Sequence, residues 1–354
     1  MKALLDKLCR QRRLEREEWE ALLARRREID CADLFSRAEA ERRRQFGDAI
    51  FVRGLIECSS FCKNDCRYCG IRRDNRHAAR YRLDRETVLA CCEKGYAWGF
   101  RTFVLQAGED PGLTPEGVAE TVRAIKARFP DCAVTLSLGE FSRKVYQLWF
   151  DAGADRYLLR HETADAAHYA RLHPPELTLA RRLACLRDLK DIGYQVGAGF
   201  MVGSPGQSAR TLAADFCFLQ EFRPHMVGLG PFIPQKDTPF AEEPAGTLED
   251  TLLLLALVRL TLPRVLLPAT TALGTIHPQG RELGIRAGAN VVMPNLSPPA
   301  VREKYALYDN KLCTGDEAAE HLAGLKKRLA AVGCTVAIGR GDFPGAEGEA
   351  KNKC

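Results

Sequence analysis

Residues 51–70 read FVRGLIECSSFCKNDCRYCG. The first eight are apolar and β-branched enough for a buried strand, and close behind them lie three cysteines spaced Cys62-x3-Cys66-x2-Cys69. Three chemistries crowd thiols in this way. A disulfide between such neighbours closes a small strained loop and needs an oxidising compartment, of which the sequence gives no sign. Zinc usually takes four ligands in paired two-residue spacings, and here only Cys58 or His77 stands near enough in sequence to supply a fourth. A [4Fe–4S] cluster on three thiolates is the third reading, because gaps of three and two residues let one loop reach three corners of a cube. The remaining iron then has no protein ligand and is kept for a substrate or cofactor.

The segment 51–58 is the first of eight strand candidates. The others are 101–108, 133–139, 156–162, 195–203, 226–232, 265–271 and 289–294. Helical patterns lie between them near 84–97, 114–129, 142–152, 178–192, 208–221, 246–262 and 278–286, several opening on a capping residue such as Asp84 or Thr247. Such alternation predicts an α/β chain with a parallel sheet, and eight units in about 250 residues predict a closed (β/α)8 TIM-type barrel rather than an open doubly wound sheet. The strands end in polar or glycine-rich residues: Gln106 to Asp110, Ser137, Arg160-His161-Glu162, Met201, Thr270-Thr271 and Asn295. In a barrel those ends ring one mouth, and the cysteine triplet follows the first strand at that same mouth, so a single site is expected. The predicted organisation is an N-terminal helical extension (1–49), the barrel (50–312), a helical segment closing the barrel (313–337) and a flexible, glycine-rich tail (338–354).

The chain has 354 residues, 14 cysteines and a formal net charge of +6. Cys9, Cys31, Cys91, Cys92, Cys132, Cys185 and Cys217 are scattered and read as small buried hydrophobes. The basic runs RRREID (25–30) and ERRRQFGD (41–48) are interleaved with acids, which suits a solvated helix face, and no nucleic-acid-binding motif accompanies them. The longest apolar run, Thr251 to Leu262, is broken by Arg259 and stopped by Pro263, so no membrane span is expected. The N-terminus lacks an apolar stretch and a cleavage site, which makes the cytoplasm the expected location.

The cysteine spacing, with Tyr68 directly before the last thiol, resembles the signature of the radical S-adenosylmethionine (SAM) superfamily. Further blocks narrow the resemblance: RGLIECSSFCKNDCRYCGIRRDN (53–75), VLQAGEDPG (104–112), TLSLGE (135–140), AGADRYLLRHETA (152–164), GAGFMVGSPGQ (197–207), MVGLGPFIPQKDTP (226–239), LPATTALGT (267–275) and GANVVMPNLSP (288–298). In this order they resemble the HydE-type [FeFe]-hydrogenase maturases, with methylornithine synthase and biotin synthase as relatives on the same barrel. The resemblance implies one [4Fe–4S] cluster with an open iron site on Cys62, Cys66 and Cys69, and S-adenosyl-L-methionine cleaved to a 5′-deoxyadenosyl radical. It implies a step in assembling the hydrogenase diiron subcluster on a cysteine-bound iron carbonyl–cyanide precursor. It also implies partners: a HydG-type synthon donor, a HydF-type scaffold and a low-potential electron donor. An amino-acid mutase resembling methylornithine synthase and an iron–sulfur scaffold or carrier are the rival readings.

Residue roles follow from the same resemblance. Glu162 and Arg182 match SAM contacts, a carboxylate for its ammonium and a guanidinium for its carboxylate. Gln106, Gly108 and Glu109 match the segment whose backbone faces the SAM amino group. Ser137 falls near the ribose or substrate, and Tyr68 and Met201 beside the cofactor. Thr135, Arg156, Arg160, Thr270, Thr271 and Met293, with Tyr305 and Tyr308 from REKYALYDNK (302–311), match the substrate cavity. By pattern alone, Met201, Met226 and Met293 read as core fillers. Arg160 cannot lose its proton, so a buried one needs an anionic partner such as a substrate carboxylate or a cyanide ligand. His161 reads equally as a proton donor and as a structural hydrogen bonder. Some members of the family carry a second cluster on three cysteines near the C-terminus. Here only Cys313 stands at that place, TGDEAAEHLAG (314–324) has no cysteine, and Cys334 and Cys354 lie far off, so one cluster is expected.

Overall fold

The computed structural model describes residues 1–312 and 319–345. Its strands are β1 (Ala49–Val52), β2 (Gly54–Ser59), β3 (Thr102–Ala107), β4 (Ala133–Ser137), β5 (Arg156–Leu158), β6 (Gln195–Ala198), β7 (Met201–Val202), β8 (Met226–Val227), β9 (Gly230–Pro231), β10 (Val291–Val292) and β11 (Thr335–Ala337). Six of them form a parallel sheet in the order β2-β3-β4-β5-β6-β8. Parallel bridges Met226–Leu266 and Pro268–Val291 continue it through residues 265–268 to β10, which pairs with β1, and Leu55–Asn295 closes the ring onto β2. The eight predicted strands therefore close into a barrel, with β1 and β2 as one bent first strand, and the open-sheet alternative fails.

Several of the helices between strands have a first turn capped as the sequence indicates. The Asp84 carboxylate accepts the Thr87 N–H at 2.8 Å, and Thr247 Oγ1 accepts that of Asp250 at 3.1 Å. Both bonds satisfy N–H groups that the helix itself leaves open. Short helices at Ala166–Leu172, Thr271–Ile276 and Pro299–Arg302 add to the expected set, and all three follow strand ends on the mouth side. Three helices, Lys2–Gln11, Arg16–Ala24 and Cys31–Phe46, precede the first strand. They are tied to the barrel's outer layer by Trp19, which stacks on Phe216 at 4.2 Å and donates to Gln220 at 2.8 Å. Among the described residues no helix is long and apolar enough to cross a membrane.

The C-terminal segment departs from expectation. β11 pairs in parallel with β1, at the barrel end opposite the mouth. Residues 340–343, expected in a flexible tail, bond to the barrel's base. Arg156, which the resemblance assigns to the substrate cavity, points down into this segment instead. Its Nη2 lies 2.6 Å from Asp342 Oδ1 and 2.7 Å from Arg340 O, and its Nη1 donates to Thr102 Oγ1 at 3.0 Å. The anionic partner that a fully buried arginine requires is thus Asp342. The rest of the expected tail, Cys354 included, and Cys313 lie outside the described residues.

Candidate active site

Strand register sets the first row of the site. Glu57 pairs with Gln106 and Gln106 with Ser137, so three side chains from β2, β3 and β4 stand level at the mouth. They line a cavity of about 350 Å³ together with Leu158 of β5. Thr135 is two residues below Ser137, level with Arg156. It therefore stands one layer under the cavity rather than on its wall, and among the described residues its buried Oγ1 has no hydrogen-bond partner.

The cysteine loop leaves β2 and passes directly over β3. A Cβ at Gly108 would come within 2.3 Å of Phe61 O and 2.7 Å of Cys62 Cβ, so only glycine lets the two backbones meet. Lys63 N–H donates to Glu109 O at 2.9 Å, and Gly70 N–H to Leu307 O at 2.8 Å. Cys62, Cys66 and Cys69 all reach the cavity wall as free, half-buried thiols. Burial pushes all three thiols up, Cys69 to about 12, and at Cys66 and Cys69 the neighbouring cysteines oppose ionisation further. Three thiolates side by side are stable only around a cationic group. Among the described residues no three His, Cys, Asp or Glu converge tightly enough for a single metal ion. Neither Cys58 nor His77 lines the cavity: Cys58 is buried on the outer face of β2, and His77 is exposed. A cubane, which presents separate corners to separate thiolates, suits this donor set, and one zinc ion does not.

Opposite the loop stand the residues matched to SAM. Glu162 is a non-glycine residue at φ +64°, a left-handed backbone that costs on the order of 1 kcal/mol. It is held there by its N–H bond to Gly199 O at 3.0 Å, and its Oε2 accepts Arg160 Nη2 at 2.6 Å. Arg182 is buried. Its Nε lies 2.5 Å from Glu140 Oε1 and its Nη1 2.7 Å from Arg160 O, while Nη2 has no partner among the described residues. Burial opposes its charge, and the Glu140 carboxylate beside it holds it protonated. Tyr68 donates to His173 Nε2 at 3.2 Å, and His173 Nδ1–H donates to Tyr169 O at 3.0 Å. Burial first, then the Arg182 charge, keeps His173 neutral with its pKa lowered to about 4, which fits that tautomer. Gly108, Glu109, Ser137 and Met201 complete this side of the wall.

Arg160, Thr270, Thr271, Met293, Tyr305 and Tyr308 also line the cavity. Arg160 pairs with Glu162, and among the described residues its buried Nε and the buried Thr270 Oγ1 have no hydrogen-bond partner. Met201 and Met293 are cavity walls as well as packing, whereas Met226 stays in the core beside Leu266 and Val291. His161 does not join them. It is fully buried behind the strands, its Nε2 3.3 Å from Asp215 Oδ1 and its Nδ1 accepting the Gly199 N–H. Its role in the structure is to anchor the turn before Phe200.

Two charged lining residues escaped sequence reasoning. Glu57 is buried on β2 and accepts Lys311 Nζ at 2.6 Å and Asn295 Nδ2 at 2.9 Å. A lone acid inside the apolar run FVRGLIEC was the available signal. Lys311 belongs to REKYALYDNK, but nothing in that stretch separates it from an exposed lysine.

Residues 56–218 match the Radical SAM superfamily. The chain is 48% identical over 280 residues to the [FeFe] hydrogenase maturase subunit HydE of Thermotoga maritima, covering 79% of this chain and 80% of that protein. It is 28% identical over 351 residues to 3-methylornithine synthase of Methanosarcina acetivorans, covering 99% and 96%. Among solved structures, methylornithine synthase superposes with a TM-score of 0.83 at 27% identity, covering 98% of this chain and 99% of that one.

Proposed function

The chain belongs to the radical SAM superfamily and, within it, to the family of HydE-type [FeFe]-hydrogenase maturases, and from this we propose that it acts in building the diiron site of such a hydrogenase, on a cysteine-bound iron carbonyl–cyanide precursor. The observation that carries the reading is convergence: the three cysteines of one loop, Glu162 and Arg182 all open onto a single cavity. Members of this superfamily use a [4Fe–4S] cluster and SAM. When bound, the two supply a one-electron cleavage of a sulfonium S–C bond that yields a 5′-deoxyadenosyl radical.

The chain's own residues hold, orient and enclose. Cys62, Cys66 and Cys69 would hold the cluster. Glu162 offers a carboxylate to an ammonium, and the spare Nη2 of Arg182 offers a charged donor to a carboxylate. Glu140 and the Arg160 carbonyl fix the Arg182 guanidinium, so little freedom is lost when it binds. The unmet Arg160 Nε and Thr270 Oγ1 suit an anionic, hydrogen-bonding substrate, since a buried donor without a partner costs about 1–3 kcal/mol until one arrives. Leu158, Met201, Phe232, Ile233 and Met293 keep the surrounding wall apolar, which limits the water available to quench a radical. A HydG-type donor, a HydF-type scaffold, a low-potential reductant and a cytoplasmic setting belong to the same reading.

The test is anaerobic reconstitution followed by dithionite and SAM. Formation of 5′-deoxyadenosine, lost in Cys66→Ala, is the expected result; a labile cluster with no SAM cleavage would instead fit a carrier. Leaving the protein out of a defined hydrogenase maturation mixture should then abolish activation. The near full-length match to methylornithine synthase favours a second reading, an amino-acid mutase, which lysine turnover would reveal.

A further inference from the structure

Arg80 lies between the cysteine loop and β3, among six other basic residues in the stretch 61–82. Its two terminal nitrogens make four hydrogen bonds, all to backbone carbonyls. Nη1 donates to Ser60 O and, at 2.8 Å, to Ile71 O; Nη2 donates to Arg72 O at 2.7 Å and Asn75 O at 3.1 Å. Among the described residues no carboxylate pairs with it. Ser60 precedes the triplet and the other three acceptors follow it, so one planar group draws together the chain entering and the chain leaving the cysteines. Asn75 adds a fifth tie, donating to Gly70 O at 2.7 Å. Closing a loop in this way removes chain freedom that the three thiols would otherwise lose on binding. A lysine offers three donors on a flexible stem and cannot reproduce the fork.

The charge is the second half of the observation. A half-buried guanidinium normally faces a carboxylate, and this one faces carbonyl dipoles only, so its positive field is not cancelled locally. The guanidinium sits on the carbonyls of Ser60 and Ile71, two residues before Cys62 and two after Cys69, so the charge lies beside the loop that carries the thiols. A fixed cation near an iron–sulfur cluster favours the more negative, reduced state. We propose that Arg80 is a positioning residue for the cluster: its fork sets the shape of the cysteine loop, and its uncancelled charge raises the cluster's reduction potential. The proposal rests on the reading of Cys62, Cys66 and Cys69 as cluster ligands.

Arg80→Lys keeps the charge and loses the fork, and Arg80→Met loses both. In the full chain before reconstitution, amide exchange over residues 60–75 is expected to quicken roughly tenfold or more in Arg80→Met, and by less in Arg80→Lys. After reconstitution, a redox titration followed by electron paramagnetic resonance should place Arg80→Met at a more negative midpoint than wild type, with Arg80→Lys close to wild type. Wild-type exchange and wild-type potentials in both variants would overturn the proposal, and equal shifts in both would overturn its electrostatic half. Should Arg80→Met shed its iron, exchange in the metal-free chain decides: protection at the wild-type level overturns the fork. A wild-type chain that never takes up a cluster would instead defeat the ligand reading, while the exchange result still judges the fork.

Discussion

A methyl group at residue 108 has nowhere to go. Gly108→Ala would drive its Cβ into Phe61 O and Cys62 Cβ, both backbone-fixed, so the loop rather than the strand must yield. The expected outcome is a folded protein that retains roughly half the wild-type iron or less after reconstitution, read by iron assay beside circular dichroism. Arg182→Lys should weaken SAM binding by about tenfold or more, since an ammonium cannot bridge Glu140, the Arg160 carbonyl and a ligand at once. Equilibrium dialysis on the loaded protein measures this, and wild-type affinity would count against the assignment. His173 carries a pH prediction. Its folded pKa is lowered to about 4 from an ordinary 6.5, so the unfolded chain takes a proton that the native state refuses. Stability is therefore complete above pH 6.5 and falls as pH drops toward 4. Between pH 7.5 and 5.0 this one group should cost about 2 kcal/mol in urea unfolding, a loss that His173→Gln removes.

At the scale of elements, the eight barrel strands were legible because each is a short β-branched run ending in polar residues, with a capped helix between most pairs. The cavity lining at strand ends was legible for the same reason: Gln106, Ser137, Glu162 and Thr270 interrupt apolar patterns where a mouth is expected. What stayed hidden depends on contacts across the chain. Glu57 and Lys311 are separated by 254 positions, and the direction of Arg156 is decided by a segment beyond the barrel. His161 sits in the most suggestive block, LRHET, yet strand alternation turns it away from Arg160 and Glu162, toward Asp215. The Glu57–Lys311 pair joins β2 to the segment over the mouth, with side chains 1% and 9% exposed. Lys311→Met should destabilise the protein by roughly 3–5 kcal/mol, because it strands a buried carboxylate, and adding Glu57→Gln should recover part of that. Urea unfolding of the two single variants and the double variant closes the cycle; simple additivity would contradict the pairing.

Among the described residues the barrel opens at one end onto the cavity and is covered at the other by its own C-terminal segment. Asp342 and the Arg340 carbonyl satisfy Arg156 at the base, Gln195 donates to Asp342 at 2.8 Å, and Arg340 reaches Asp155 at 2.7 Å. Asp342→Ala should cost roughly 3 kcal/mol of stability by leaving a buried guanidinium without its counter-ion. SAM affinity should stay near wild type, because the change lies at the end opposite the mouth; a large loss of affinity would show that the two ends are coupled. In the proposed function the thiolates of the cysteine triplet leave one iron open for SAM, across the cavity from Glu162 and the anchored Arg182. Mössbauer spectroscopy of the chain reconstituted with 57Fe, with and without SAM, tests this most directly. The expected spectra show a [4Fe–4S] cluster in which a single iron site changes when SAM is added; four irons that ignore SAM, or a cluster that survives replacement of Cys62, Cys66 and Cys69, would contradict it.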